Sequence, residues 1–265
     1  MMMRFSLILQ HNVSLHTCYC FVLLFLLFFS SLSSSEAYDA LDPYGNITIK
    51  WDLVGWQPDG YIAIVTINNY QQYRHIPAPG WSLTWTWAEK ELIWNIIGAM
   101  TTKQGNCSRF KGYHPRSCEK SPTVVDLLPS TPYNQKVPNC CKGGVLTSWA
   151  QDPKNAVASF QLTVGRAGTT NRTVRVPRNF TLNAPGSGYT CGQAKIVRPT
   201  LFITLDKRRV TQALMTWNVT CTYSRFLAQR AAPTCCVSLS SFYNDTRVPC
   251  PTCSCACKTN STCLK

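Results

Sequence analysis

The chain has 265 residues, a formal net charge of +14 and a pI near 9.2. Hydrophobic residues make up 45% and charged residues only 14%, so the chain can bury a core and is not a disordered polyelectrolyte. Glycine is too scarce for a collagen-like chain, no heptad runs through the sequence, and a single long apolar run excludes a multi-pass membrane protein.

That run, Cys18 to Phe29, reads CYCFVLLFLLFF. Arg4, His11 and His16 precede it, and a serine-rich stretch ending Ser35-Glu36-Ala37 follows. A basic start, a short apolar middle and a small-x-small end predict a signal peptide over residues 1–37. Twelve apolar residues fall short of the roughly 20 a bilayer span needs, which leaves an uncleaved anchor as the weaker alternative. Cleavage after Ala37 removes Cys18 and Cys20 and leaves thirteen of the 15 cysteines. Seven glycosylation sequons begin at Asn46, Asn106, Asn171, Asn179, Asn218, Asn244 and Asn260. Together these features predict a secreted glycoprotein in a disulfide-permissive compartment.

The mature chain reads as strands. Ile47, Ile49, Trp51 and Leu53 alternate with polar residues, and Tyr61 to Ile67 is apolar on both faces, as a central strand would be. Turn signals follow at Gln57-Pro-Asp-Gly60 and Pro77-Ala-Pro-Gly80. Trp81, Leu83, Trp85 and Trp87 share one strand face, with Ser82, Thr84 and Thr86 on the other. Ala88 to Ala99 fits a short helix or a strand equally well. Phe160, Leu162 and Val164 alternate, as do Met215, Trp217, Val219, Cys221 and Tyr223, which leaves Asn218 on a polar face where a glycan can sit. Trp51 and Trp217 read as core. The expected fold class is all-β, an antiparallel β-sandwich over residues 38–230, followed by a small disulfide-rich segment over 231–265.

Enzyme signatures are missing. No HExxH, Gly-x-Ser-x-Gly or Walker loop occurs, and the mature chain carries only His75 and His114. Glu89 and Glu91 are the nearest thing to a glycosidase carboxylate pair, and a solvated pair at a strand end is the preferred reading. No catalytic residue, metal or cofactor is expected.

Two patterns point to binding. The indole row of Trp81, Trp85 and Trp87 can stack on successive sugar rings, or it can be the inward face of a sheet; the pattern alone leans to the core. Trp56, beside Gln57-Pro58-Asp59, sits at a loop edge. The second pattern is a nearly unopposed basic stretch that includes Arg172, Arg175, Arg178, Arg208 and Arg209. Outside the cell its expected partners are acidic polysaccharides or anionic headgroups rather than nucleic acid; the other reading is a solubilising surface.

The tail Cys250-Pro-Thr-Cys253-Ser-Cys255-Ala-Cys257, with Cys263, is expected to form disulfides rather than a metal cluster. The adjacent pairs Cys140-Cys141 and Cys235-Cys236 are expected to bond to different partners, because a bridge between neighbours is strained. Thirteen is odd, so one thiol is expected to be free or bonded to another chain.

Several long runs resemble the plant COBRA-like family. They are Tyr38-Asp-Ala-Leu-Asp-Pro43, Gly45-Asn-Ile-Thr-Ile-Lys-Trp-Asp52, Gln72-Tyr-Arg-His75 with Ala78-Pro-Gly-Trp81, Thr123-Val-Val-Asp-Leu-Leu-Pro129, Thr131-Pro-Tyr-Asn-Gln135 and Val176-Pro-Arg-Asn-Phe-Thr181. The CCVS signature, Cys235, Cys236, Val237 and Ser238, completes them. The resemblance implies an extracellular, non-enzymatic glycoprotein with a sandwich like that of a cellulose-binding module. Its expected partner is cellulose, and its expected role lies in microfibril organisation and oriented cell expansion. It also implies that the strand of Trp81, Trp85 and Trp87 belongs to the sugar-binding module, which favours the platform reading. Family members usually continue into a second sandwich and a GPI-anchor signal at the outer plasma membrane. Here neither follows before Lys265, so the sequence reads as a truncated product, a short isoform or a fragment. Where the family usually has two adjacent cysteines, Ser117 precedes Cys118, which is expected to leave one partner thiol free. The alternative function is a secreted protein-interaction module whose tryptophans are only core.

Overall fold

The computed structural model describes residue 39 and residues 41–186, 188–204 and 206–231. The predicted signal peptide, the CCVS signature and the sequons at Asn244 and Asn260 lie outside the described residues.

The expected antiparallel β-sandwich forms. One sheet has the order β10-β13-β1-β2-β7-β4, with β9 also paired to β13. Its strands are β1 (Ile47–Gln57), β2 (Gly60–Asn69), β4 (Leu92–Ile97), β7 (Val157–Gly165), β9 (Tyr189–Cys191), β10 (Lys195–Val197) and β13 (Met215–Tyr223). The second sheet has the order β5-β6-β3-β8, from β5 (Ala99–Thr101), β6 (Thr123–Asp126), β3 (Ser82–Thr86) and β8 (Arg178–Asn183). A separate hairpin joins β11 (Leu201–Ile203) to β12 (Val210–Gln212). The segment open to helix or strand is strand: β4 and β5. A short helix, Arg225–Ala231, follows β13.

Period-two patterning explains the register. Trp51 lies opposite Val65 and Trp217, so the apolar faces of β1, β2 and β13 coincide and point inward. β2 is central, between β1 and β7, which accounts for the apolar residues on both of its faces. The β1–β2 turn needs glycine at position 60, because a Cβ there would stand 2.0 Å from the Val164 carbonyl oxygen.

The indole row corrects the platform expectation. Trp81, Trp85 and Trp87 do share a face with Leu83, but that face looks onto the opposite sheet, and all three indoles are buried. Trp85 meets Trp51 edge-on with ring centroids 5.2 Å apart, and Trp87 meets Trp51 at 6.1 Å. Trp81 stacks on Phe160 at 5.9 Å, and Trp51 stacks on Trp217 at 5.6 Å. The physical reason is area. Each such ring buries roughly 150–250 Å², and the facing sheet offers complementary aromatic surface that water does not. Trp51 and Trp217 are core, as expected.

Three disulfides lie within the described residues: Cys107–Cys118, Cys140–Cys141 and Cys191–Cys221. The second corrects the expectation that adjacent cysteines take different partners. Asn139 and Cys141 both adopt positive φ, 65° and 70°, which folds the chain back at this pair. Buried Asp126 fixes the fold-back by accepting the backbone N–H groups of Cys141, Lys142 and Gly144, each at 2.9 Å, besides that of Leu127. Cys118 pairs with Cys107, and the thiol expected to lack a partner at Ser117 is not among the described cysteines. All six described cysteines are bridged, so the odd cysteine belongs to the segment outside the described residues.

A core placement of the indole row has a measurable consequence. Trp85→Ala is expected to lower the unfolding free energy by about 3–5 kcal/mol, read from urea denaturation. A loss under about 1 kcal/mol would contradict the buried placement.

Candidate functional site

With the indole row inside, the exposed aromatic surface lies elsewhere. Tyr70 and Trp149 are 41% and 42% exposed, and their rings sit 5.2 Å apart at 53°. Tyr70 follows the last residue of β2. Trp149 lies in the connection from β6 to β7. Backbone bonds join the two segments to the loop before β1: the Tyr70 N–H donates to the Asn46 carbonyl at 2.8 Å, and the Trp149 N–H to the Asn69 carbonyl at 3.1 Å. Exposed Tyr44 and Tyr73 belong to these same loops.

A buried polar network holds this end of the sandwich. Asn69, fully buried, donates its amide to the carbonyls of Arg74 and Thr147, both at 2.8 Å. Its Oδ1 accepts from the Gln71 amide at 2.9 Å, and that amide also reaches the Tyr189 hydroxyl at 3.0 Å. Burial pushes the Tyr189 phenol above its ordinary pKa, against the opposing effect of its bond with Gln71. Gln72 donates its N–H to Asp42 at 2.7 Å, and Arg74 donates its Nε–H to Asp39 at 2.8 Å while its guanidinium covers the Tyr223 ring at 4.0 Å. The Tyr73-Arg74-His75 loop is therefore shaped by Arg74, and His75 is simply exposed.

Such a surface can stack a sugar ring on two tilted aromatic faces, with phenol and indole hydrogens available to hydroxyls. Trp149 was not singled out from sequence, because it sits alone in Thr147-Ser148-Trp149-Ala150 with no alternating partner. Its signal was the turn-forming neighbourhood itself, Ser148, Asp152 and Pro153, in which a large indole has no strand face to join.

The remaining predicted residues do not join this site. Trp56 is half-buried near the opposite end of β1, about 30 Å along the strand from Asn46, and packs against the core. Glu91 is buried and accepts the Glu89 N–H at 2.6 Å, while Glu89 is exposed and 3.5 Å from Arg175. One carboxylate is thus turned to the backbone and the other to solvent. The basic residues divide into groups. Arg175 and Arg178 line a cleft of about 480 Å³ with Asn179 and Gln193. Arg208 and Arg209 lie at the turn of the β11–β12 hairpin, beside Asp206, whose carboxyl the Thr204 hydroxyl holds below its ordinary pKa. Arg172 is exposed in a turn between β7 and β8. Among the sequons, Asn106, Asn171 and Asn179 are exposed, and Asn46 and Asn218 are half-buried. Among the described residues, no group of three or more His, Cys, Asp or Glu could hold a metal ion, and no helix is long and apolar enough to cross a membrane.

Comparison with known proteins gives a consistent result. Residues 61–224 match the COBRA N-terminal domain, and residues 234–265 match the COBRA family C-terminal domain. The chain is 68% identical to Protein COBRA of Arabidopsis thaliana over 240 residues, 91% of this chain and 52% of that protein. It is 69% identical to COBRA-like protein 1 of Arabidopsis thaliana over 239 residues, 90% and 53% of the two chains. It is 68% identical to COBRA-like protein 3 of Oryza sativa subsp. japonica over 234 residues, 88% and 51%. The chain therefore spans about half the length of these relatives.

The turn that carries Trp149 is closed by its own clasp. Asp152 accepts the Asn155 side-chain amide at 2.7 Å, and its carbonyl accepts the Thr147 hydroxyl at 2.7 Å. The Asn155 amide holds the Asp152 carboxyl below its ordinary 3.8. A depressed carboxylate contributes stability above its unfolded pKa and loses it as pH falls through the folded value. Amide exchange across residues 147–155 is therefore expected to stay flat between about pH 5 and pH 7 after correction for intrinsic rates, and to rise only below about pH 4. Asp152→Ala is expected to raise it throughout. A rise in the wild type between about pH 5 and pH 7 would show that another group closes the turn.

Proposed function

The chain belongs to the COBRA family, and we propose that it is a non-enzymatic, secreted cell-wall glycoprotein that binds cellulose through Tyr70 and Trp149. The observation that carries this reading is the exposed aromatic pair on a buried polar frame. Stacking on glucan removes two apolar surfaces from water, and the frame spares the site most of the ordering that binding would otherwise require. The sequons support secretion, and the Glu89–Glu91 arrangement supports binding without hydrolysis, since the two carboxylates do not face one another across an open cleft. Its role is in cellulose deposition, microfibril organisation and oriented expansion at the outer face of the plasma membrane or in the wall. Arg172, Arg175, Arg178, Arg208 and Arg209 hold the protein to acidic wall polymers by a salt-sensitive attraction.

A second reading is a secreted protein-interaction module. The observation in its favour is the set of exposed aliphatic side chains Leu201, Ile203 and Val210 on the β11–β12 hairpin, whose turn carries Arg208 and Arg209. A sugar gains little from aliphatic side chains, whereas a protein partner buries them.

Sedimentation of the secreted, glycosylated Tyr38–Lys265 chain with crystalline cellulose separates the two. Wild type is expected to bind, Tyr70→Ala and Trp149→Ala to weaken binding at least about tenfold with unchanged thermal midpoints, and hairpin variants to bind normally. Absence of wild-type binding would favour the interaction module.

A further inference from the structure

The sandwich is open along one side. β4 is the edge strand of the larger sheet and β5 the edge strand of the smaller, and the chain crosses between them at Gly98. Gly98 has a φ of 85°, and its N–H donates to the Gln135 carbonyl at 2.9 Å. Over this crossing lies a groove of about 780 Å³, within the size range of small-ligand sites. It shares no lining residue with the Tyr70–Trp149 end.

Both walls are fixed. One is the loop closed by Cys107–Cys118. It is pinned by the Gln104 amide donating to the Pro115 carbonyl at 2.9 Å, the Thr101 hydroxyl donating to the Arg116 carbonyl at 3.1 Å, and the Cys118 N–H donating to the Gln104 carbonyl at 2.7 Å. The other wall is the 3-10 turn Tyr133–Gln135. The polar lining is Asn95, Thr101, Gln104, Asn134 and Gln135 with His114 and Arg116, and among the described residues no Asp or Glu lines the groove. Four primary amides offer both donors and acceptors, the pattern that vicinal hydroxyls require, and a guanidinium is the group best shaped for a carboxylate.

The groove fits a peptide poorly. Ile93 already exchanges both backbone bonds with Ser117, and Gly98 is bonded to Gln135. Only Asn95–Ile97 of the β4 edge remains between them, too short for an added strand to gain a useful ladder.

We infer that this groove binds a short stretch of an anionic polysaccharide, a uronate-bearing chain whose hydroxyls meet the amides and whose carboxylate meets Arg116. A groove of this volume accommodates a short uronate oligomer, with Arg116 as the cation for one carboxylate. The inference is independent of cellulose binding at Tyr70 and Trp149.

The test is calorimetric titration of the secreted, glycosylated chain with trigalacturonate, its methyl ester and cellotetraose. The acid trimer is expected to bind, and the ester to bind at least about tenfold more weakly because the charged acceptor is gone. Arg116→Gln is expected to weaken the acid trimer by a similar factor, while Arg225→Gln, an exposed arginine outside the groove, and Trp149→Ala leave it unchanged. Thermal midpoints check that each variant is folded, and the ester comparison needs no variant. Three outcomes would overturn the assignment: no binding of the acid trimer, equal binding of acid and ester, or no loss with Arg116→Gln beyond that seen with Arg225→Gln. Loss of cellulose binding in Trp149→Ala with trimer binding retained separates this site from the aromatic end.

Discussion

The contact between Trp51 and the indoles of Trp85 and Trp87 sets the distance between the two sheets, and most of the molecule follows from it. Edge-to-face rings at 5–6 Å need a wide gap, and Phe160, Phe180, Trp81 and Trp217 fill the rest of it. The buried indole nitrogens of Trp51, Trp81, Trp85, Trp87 and Trp217 find no hydrogen-bond acceptor. The core is therefore held by burial and ring packing rather than by polar bonds. Each unpaired N–H carries a desolvation cost, which large apolar area has to outweigh. A core of this kind has no indole to spare for recognition, which is why the proposed binding surfaces lie at the loop end and the seam.

At the loop end, polar bonds take over the role that indoles play inside. Asn69 closes β2 opposite Ile47 of β1, so its position is inherited from the strand register. Its amide then ties the loop after β2 to the β6–β7 connection, and Gln71, Arg74, Asp39 and Asp42 extend the tie toward the surface. Tyr70 and Trp149 stand on this frame without having to order it on binding. A fully satisfied buried network is stiff and specific, whereas losing one partner strands the others, which is why a display loop built this way tolerates change at its tips better than at its root.

Period-two patterning made β1, β2, β3, β7 and β13 legible, because alternation is a local property of the chain. It could not say which face of β3 is inward. Alternation reports that Trp81, Trp85 and Trp87 lie together, but whether they meet water or Trp51 depends on a strand far away in sequence. The family resemblance tipped that choice the wrong way, while the general tendency of large aromatics to bury pointed the right way. Trp149 was illegible for the same reason in reverse: its partner Tyr70 reaches it only through the Asn69 frame. The Cys140–Cys141 bridge depends on positive φ at Asn139 and Cys141 and on four backbone bonds to Asp126, none of which has a sequence signature. The Thr123-Val-Val-Asp126 run was recognised as a motif, and its buried carboxylate supplies the physical reason for the aspartate.

Charge and shape divide the work of recognition. Arg172, Arg175, Arg178, Arg208 and Arg209 lie in separate groups before and at β8, at the β11–β12 turn and in the turn after β7, and each acts through water with a range of about 10 Å at moderate ionic strength. Charges spread in this way draw a polyanion toward the surface but leave it free to slide, since no single pairing fixes its register. Position has to come from groups with fixed geometry. In the proposed reading the aromatic end supplies it through two tilted rings whose backbone is bonded to Asn46 and Asn69. The seam, as inferred above, would supply it through amides set in a disulfide-closed loop and a 3-10 turn. The two share no lining residue, although both draw on the β6–β7 connection. A chain holding both a neutral and an acidic polymer would then act as a link between them, its stiffness set by the indole core that joins the sheets.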